Sequence, residues 1–256
     1  MRSLQNKRAL ITGASRGIGR ASALLLAESG CDVAINYITQ EAAARETAEK
    51  IQSFGRRAIV VKADMREPED IAAMVEAVGE AWGGLDILVS NAASGGFRSL
   101  VDAKPIHFDA AMHVNVRALM LLVQAALPWL KKSFGQAKVI ALSSHGSHRA
   151  LPAYSLIGAS KAAIESLIRH MALELGPSGI NFNVVLAGLV RTDSTSHVPE
   201  ADAMFQAMDD KLLITPKRTL LPEDVASVVK FLASPESDLI QGQTLIVDGG
   251  AALTVG

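Results

Sequence analysis

From its first apolar run at 8–12 to its last at 243–247, the chain alternates short runs rich in Val, Ile and Ala with longer amphipathic stretches. Short apolar runs of this kind read as strands buried on both faces, whereas apolar residues recurring every three or four positions read as helices. The predicted strands are 8–12, 32–37, 58–62, 87–90, 138–143, 181–186 and 243–247. The clearest helix is 68–82. There Pro68 suits a first turn, Ile71, Met74, Val75, Val78 and Trp82 share one face, and Gly83 and Gly84 end it. No composition break, low-complexity tract or short repeat divides the chain. The pattern predicts an α/β protein of one domain, a doubly wound seven-stranded parallel sheet with helices on both faces. Ligands of such sheets bind at the carboxyl ends of the strands.

Composition narrows the function classes. With 49% hydrophobic residues, a mean hydropathy of +0.25 and 20% charged residues, 256 residues bury a substantial core. A net charge of −1 argues against nucleic acid as a global partner. The single cysteine, Cys31, makes no intrachain disulfide, which is compatible with a reducing compartment. The polar start Met-Arg-Ser-Leu-Gln-Asn-Lys-Arg runs into an apolar strand with no signal-peptide core. The greasiest segment, 118–130, contains Gln124 and Pro128 and is too short to span a membrane. These features predict a cytoplasmic protein with neither a membrane nor a nucleic-acid partner.

Chemistry first enters where the first strand ends, in Thr12-Gly-Ala-Ser-Arg-Gly-Ile-Gly19, with a helix opening near Ile18. Glycines allow a sharp turn and a close approach to a pyrophosphate, and the helix N-terminus supplies unpaired N–H groups. In a strand-turn-helix context this reads as a dinucleotide site; the bland alternative is a structural turn. An acidic side chain at the end of the second strand would select NADH over NADPH, but that strand ends in Asn36-Tyr37. Asp32 lies at the strand's start and reads as solvated. Arg16 projects from the loop toward where a 2′-phosphate would sit, so NADPH is the expected cofactor and NADH the alternative.

Along essentially its whole length the chain resembles the short-chain dehydrogenase/reductase family of Rossmann-fold enzymes. The resemblance rests on the glycine loop, Asp64 after the third strand, Asn91-Ala-Ala93 after the fourth, and Asn115 in a long helix. It continues through Ser143-Ser144, Lys161 in Ala-Ser-Lys-Ala-Ala, the stretch from Gly188 to Thr192, and Val247-Asp-Gly-Gly250. The resemblance implies that Gly13, Ser15, Arg16, Ile18, Gly19 and Tyr37 meet the cofactor. It places Asp64 and Met65 at the adenine and Asn91, Ala92 and Ala93 along the cleft. Val190 and Thr192 would approach the nicotinamide, Lys161 would hold its ribose, and Asn115 would support that lysine through water or a helix carbonyl. Each has a structural alternative: Asp64 as a strand-end cap, Asn115 as a satisfied helix polar group, Thr192 as a turn residue. Ala187 stands where the family usually has Pro, and Ala93 where it often has Gly.

The catalytic register departs from the family's pattern. Ser144 precedes Lys161 by seventeen residues, the family's usual distance, so no insertion shifts the frame. The tyrosine expected four residues before the lysine is Ile157, and Tyr154 stands seven before instead. Seven residues at about 100° each return nearly to the same helix face, provided the helix begins before Tyr154. The two side chains would then lie about 10 Å apart along the axis rather than about 6 Å. A ketone takes hydride on its carbonyl carbon and a proton on the attached oxygen. An α,β-unsaturated thioester takes hydride on its β-carbon while charge appears on an oxygen three bonds away, which suits a more distant donor.

The Tyr-x6-Lys spacing resembles enoyl-acyl-carrier-protein reductases, and the intact glycine loop resembles their type III (FabL-like) branch. That resemblance implies Tyr154, Lys161 and Ser144 as catalytic residues, NADPH as cofactor, and an acyl carrier protein carrying enoyl thioesters as partner, with enoyl-CoA analogues as substitutes. Arg98, Lys211, Lys217 and Arg218 are candidates to meet that acidic carrier, against the default of scattered exposed cations. Residues 193–219, with Met204, Phe205, Met208, Leu212, Leu213 and Ile214, read as an apolar lid over an acyl chain or as ordinary packing. His145 and His148 read as solvated loop residues, and no metal site is expected. The long apolar helices at 112–130 and 159–175 imply a homotetramer by resemblance. Three functions stay open: enoyl reduction, 3-oxoacyl or other carbonyl reduction, and non-catalytic NADPH binding.

Overall fold

Parallel strands buried on both faces need apolar residues on both sides of the pleat, and the middle of this sheet is built that way. The structure, a computed structural model, describes residues 4–192, 195, 201–211, 213, 214 and 218–253, with the side chains of Ala201, Met204 and Met208 left out. The strands are β1 (Arg8–Ile11), β2 (Asp32–Tyr37), β3 (Ala58–Lys62), β4 (Ile87–Ser90), β5 (Ala137–Ser144), β6 (Ile180–Ala187) and β7 (Thr244–Val247). They pair in parallel in the order β3-β2-β1-β4-β5-β6-β7. The order reverses between β1 and β4, so the crevice outside their carboxyl ends is the natural ligand site.

Helices α1 (Gly17–Glu28), α2 (Glu41–Ser53) and α8 (Pro222–Ala233) cover one face of the sheet. Their Leu26, Ile51 and Val229 pack with Ile11, Ile35 and Val185. Helices α3 (Pro68–Trp82), α5 (Ala118–Leu130) and α6 (Ser155–Leu175) cover the other face, where Met74, Leu122 and Ile168 meet Leu10, Leu88 and Phe182. Each fully buried Leu or Ile contributes roughly 1.5–3 kcal/mol. Two shorter helices, α4 (Pro105–Met112) and α7 (Ala201–Asp209), complete the set among the described residues.

β2, β3, β4 and α3 coincide with their predicted spans. β5 and β6 run longer than predicted because they pair in register from Ala137 with Ile180 to Ser144 with Ala187, which makes Ser144 the last residue of its strand. Three expectations need correction. Asp32 is not solvated: it is buried and bonded to both Arg56 and Arg57 at 2.7 Å. α6 begins at Ser155, so Tyr154 is its N-cap rather than a residue within it. The apolar segment 118–130 is the end of a 26-residue helical run, Pro105–Leu130, long and apolar enough by composition to cross a bilayer. Here the α5 part of that run lies in the core layer, with Leu119, Leu122, Val123 and Ala126 buried against α3 and the sheet, while Ile106 and Phe108 of α4 are exposed.

Candidate active site

β1 delivers the chain into a turn that only glycine fills. Gly13 has φ of +63°, and a Cβ there would meet the Ala92 backbone at 3.1 Å. At Gly19 a Cβ would lie 2.4 Å from the Gly13 carbonyl oxygen, so α1 sits directly on the turn. The turn is pinned from two neighbouring strands. The Asn91 amide donates to the carbonyls of Thr12 (2.9 Å) and Gly13 (3.1 Å), and the Asn36 Oδ1 accepts the Gly13 N–H at 3.1 Å. The Thr12 hydroxyl accepts the N–H groups of Asn91 and Ala92, both at 3.0 Å. Arg16 is the exposed N-cap of α1; its side chain makes no capping bond, and the first turn carries no acid. A helix N-terminus left open beside a cradle that excludes Cβ atoms fits a pyrophosphate. A cleft of about 390 Å³ runs past Ser15, Arg16, Gly17, Arg20, Arg191 and Thr192.

At the end of β2, Asn36 is occupied by the glycine turn and by the carbonyls of Tyr37 and Ala63. The acid nearest this edge is Glu41, in the first turn of α2, which the sequence reading did not single out. It is bound by Arg45 at 2.6 and 2.9 Å, and hydrogen bonds from Arg45 and Tyr37 hold its carboxyl below the usual range. The i,i+4 spacing of Glu41 and Arg45 was the available signal. Asp64 behaves as a turn cap, accepting from the Arg66 backbone N–H and guanidinium, and Met65 beside it is buried. The loop bearing Val190 and Thr192 closes on the glycine turn: a Cβ on Gly17 would touch the Thr192 methyl at 3.5 Å. Ile18 packs partly buried against the α1 face of the core, Ser15 lines the cleft, and Ala92 stands against Gly13.

The reactive groups gather at the carboxyl end of β5. The Tyr154 hydroxyl lies 3.0 Å from the Ser144 Oγ, and its ring packs on Gly146, where a Cβ would intrude to 2.4 Å. Phe97 leans on the other side, with ring centroids 5.3 Å apart. Burial pushes the Tyr154 phenol up, and the Ser144 hydrogen bond opposes this only in part. The orientation of Tyr154 thus comes from its cap position and Gly146, not from the helix face expected of it. Lys161 is buried and donates to the Leu142 carbonyl at 2.9 Å, two residues back along β5 from Ser144. Burial pushes its ammonium down to about 8, against an upward push from Glu165. Ile157 fills the place four residues before Lys161. It is buried, and its Cγ1 would be 2.5 Å from a Cβ on Gly95.

Asn115 lies in a π-helical turn, His113–Arg117, between α4 and α5; such turns recur at functional sites. It does not touch Lys161. Its amide donates to the Ser94 carbonyl and the Ser160 Oγ, and its Oδ1 accepts the Ser94 N–H, tying the β4 loop to the residue beside Lys161. His145 is not a solvated loop residue: its Nε2 is 3.0 Å from the Asp248 Oδ2, though without a hydrogen bond's alignment. His148 is half exposed, and its Nε2 lies 2.6 Å from the Glu165 Oε2. Of the lid residues, Phe205 is buried beneath Arg191, and Leu213 is exposed with its N–H donating to the Gly249 carbonyl. Asp193, Leu212 and Lys217, and the side chains of Met204 and Met208, lie outside the described residues. Arg218 is committed to Asp224 at 2.5 and 2.6 Å rather than free for a partner.

Fold and site define a Rossmann-type oxidoreductase. A family model described as "Enoyl-(Acyl carrier protein) reductase" matches residues 13–252. The chain is 39% identical to 1-cyclohexenylcarbonyl-CoA reductase of Streptomyces collinus, over 95% of this chain and 86% of that one. It is 34% identical to versicolorin reductase of Emericella nidulans, over 97% of this chain and 96% of that one. A short-chain dehydrogenase from Burkholderia cenocepacia, solved in complex with NADP, superposes with a TM-score of 0.89 at 38% identity, covering 98% of this chain and 99% of that one. The chain belongs to the short-chain dehydrogenase/reductase family.

Proposed function

We propose that the protein reduces the carbon–carbon double bond of a trans-2-enoyl thioester with NADPH. One observation carries this reading: the phenol stands at the N-cap of α6 against Ser144, while the place nearer Lys161 is filled by buried Ile157. The chain's other tyrosine, Tyr37, ends β2. Ser144 and Leu142 are two residues apart on β5, so the phenol and the ammonium are anchored about 7 Å apart along the strand. A phenol set back from the ammonium suits a substrate whose charge-bearing oxygen lies three bonds from the hydride-accepting carbon. The likeness to a reductase whose named substrate is a conjugated thioester supports the same reading.

NADPH, when bound, supplies the hydride. Residues Gly13, Ser15, Arg16, Ile18 and Gly19 would hold its pyrophosphate and 2′-phosphate, and Asn91, Ala92, Ala93, Val190 and Thr192 would line the nicotinamide half. Tyr37, Asp64 and Met65 would border the adenosine. Glu41, its charge paired with Arg45, and the exposed Arg16 favour a 2′-phosphate, and the Burkholderia relative was solved with NADP. Tyr154 donates a hydrogen bond to the thioester oxygen as the enolate forms, and Ser144 orients the phenol. Lys161, as a cation, favours that developing charge. Protonation at the α-carbon completes the saturated acyl chain.

The carrier is acyl carrier protein or CoA. The family model bears the first name, and a relative's substrate is a CoA ester. Residues 193–219 would cover the acyl chain. Met120 on α5 and Leu173 on α6 are exposed and apolar on the two helices that the expected homotetramer would pair. A cytoplasmic setting agrees with the single buried cysteine.

A second reading, ketone reduction, is favoured by the direct Ser144–Tyr154 contact, which offers one oxygen two adjacent hydroxyls. Purified protein with NADPH separates the two. Oxidation of NADPH with crotonyl-CoA but not acetoacetyl-CoA supports enoyl reduction, the reverse supports the ketone reading, and tight NADPH binding without turnover of either overturns both.

A further inference from the structure

Behind Lys161 the molecule buries a second charge that neither the cofactor crevice nor the substrate side uses. Glu165 is 3% exposed and lies one turn after Lys161 on α6. Its Oε1 accepts the Ser143 Oγ at 2.6 Å, and its Oε2 lies 2.6 Å from the Nε2 of half-exposed His148. Burying a carboxylate costs several kcal/mol unless an opposite charge or several donors offset it. Among the described residues Glu165 has neither arginine nor lysine within ion-pair distance; its contacts are a hydroxyl and an imidazole that reaches water. Lys161, equally buried, has only a backbone carbonyl as its direct partner. Residues four apart on a helix face each other at about 5–6 Å between Cβ atoms, so these two incompletely satisfied charges are each other's nearest compensation.

We propose that Glu165 is a positioning residue for the reductase site, its carboxylate holding Lys161 in the cationic form while His148 connects that carboxylate to solvent. The inference rests on the reading of Lys161 as the cation of the site. Several other groups stand at this end of the sheet. Ser143 and Ser144 come from β5, Tyr154 caps α6, His145 and His148 come from the turn packed on α6, and Asp248 stands beyond His145. Arg169, one turn past Glu165, is exposed. Of these, Glu165 is the group whose charge raises the Lys161 ammonium against the downward push of burial. An ammonium that loses a nearby anion gives up its proton at lower pH. The alkaline fall in activity therefore moves down when the carboxylate is neutralised, whereas a tether that merely pins α6 to β5 lowers activity equally at every pH.

The test compares pH profiles of kcat/KM for the wild type, Glu165→Gln, Glu165→Asp and His148→Arg, using NADPH and whichever of crotonyl-CoA or acetoacetyl-CoA the wild type reduces. Glu165→Gln is expected to move the alkaline limb down by about one pH unit or more. Glu165→Asp, which keeps the charge, leaves the limb near its wild-type position. His148→Arg places a fixed cation on the carboxylate from a half-exposed position that tolerates change; it moves the limb in the same direction by less. The Lys161 Nζ titration, followed by NMR in 15N-lysine-labelled protein, reads the same shift without turnover. A limb and a lysine titration unmoved in both Glu165→Gln and His148→Arg overturn the proposal. Failure of the enoyl reading shows instead in which substrate the wild type accepts, and leaves this comparison intact.

Discussion

The two ends of the sheet treat buried charge in opposite ways. At the amino end of the strands every buried ion is matched by contact. Asp86 accepts from the Arg8 Nε at 2.7 Å and the Ser133 Oγ at 2.7 Å, Asp32 holds both Arg56 and Arg57, and Lys138 reaches Asp238 at 2.6 Å and Asn181 at 2.9 Å. At the carboxyl end of β5, Lys161 has a carbonyl, Glu165 has a hydroxyl and an imidazole, and Tyr154 has one serine, while Asp248 past β7 is held by the N–H groups of Gly250 and Ala252. The first arrangement fastens strands to their neighbours. The second leaves Tyr154 and Lys161 with shifted proton affinities and all three groups at the end of β5 with spare bonding capacity, which is what a reacting substrate requires.

This contrast breaks if the two ends respond alike to mutation. The largest effect belongs to the carboxyl end: Tyr154→Phe is expected to lower kcat on crotonyl-CoA by about 10³-fold while the melting temperature and NADPH affinity stay put, as steady-state kinetics and calorimetry would show. At the amino end, Asp86→Ala strands Arg8 and Lys7 beside a buried gap. Denaturant unfolding should show a loss of about 3–5 kcal/mol, with kcat unchanged in the protein that remains folded.

Arg16→Ala sharpens the cofactor half of the account. Its expected outcome is a rise of about tenfold in the Kd for NADPH, with NADH binding unaffected, measured by fluorescence titration.

The smallest effects concern pH. Burial raises the Asp86 carboxyl, but the Arg8 and Ser133 hydrogen bonds and the Lys7 charge more than offset this, so its folded pKa lies below 3.8. A depressed carboxyl contributes stability that is complete above the unfolded value and lost as pH falls through the folded one. Asp86→Asn should therefore narrow the stability difference between pH 6 and pH 3 seen in the wild type. Lys161 has the opposite window: kcat/KM should fall as pH rises through about 8.

The sheet was legible in the sequence because parallel strands buried on both faces leave unbroken apolar runs, and β2, β3 and β4 begin and end where those runs do. α3 was legible from Pro68 and Gly83, the latter left-handed at φ +70°. The start of α6 was not legible. Ser155 offers itself as the N-cap one residue past the actual cap, Tyr154, and the ring's placement depends on Gly146, which only the fold brings close. Asp32 and Glu165 were missed for a shared reason. A carboxylate looks solvated in sequence unless its partner is near, and the partners here, Arg56, Arg57, Ser143 and His148, lie 17 to 25 residues away. Lys161 and Ser144 were found by their spacing; that they meet β5 at Leu142 and beside Tyr154 is tertiary information.

The most direct test of the central claim follows the label from deuterated NADPH, carrying deuterium at the transferred position, into the product. With crotonyl-CoA the account predicts butyryl-CoA bearing deuterium on the β-carbon and a solvent proton on the α-carbon, with Tyr154→Phe slowing its formation. Deuterium delivered only to the carbinol carbon of reduced acetoacetyl-CoA, with crotonyl-CoA untouched, would contradict it.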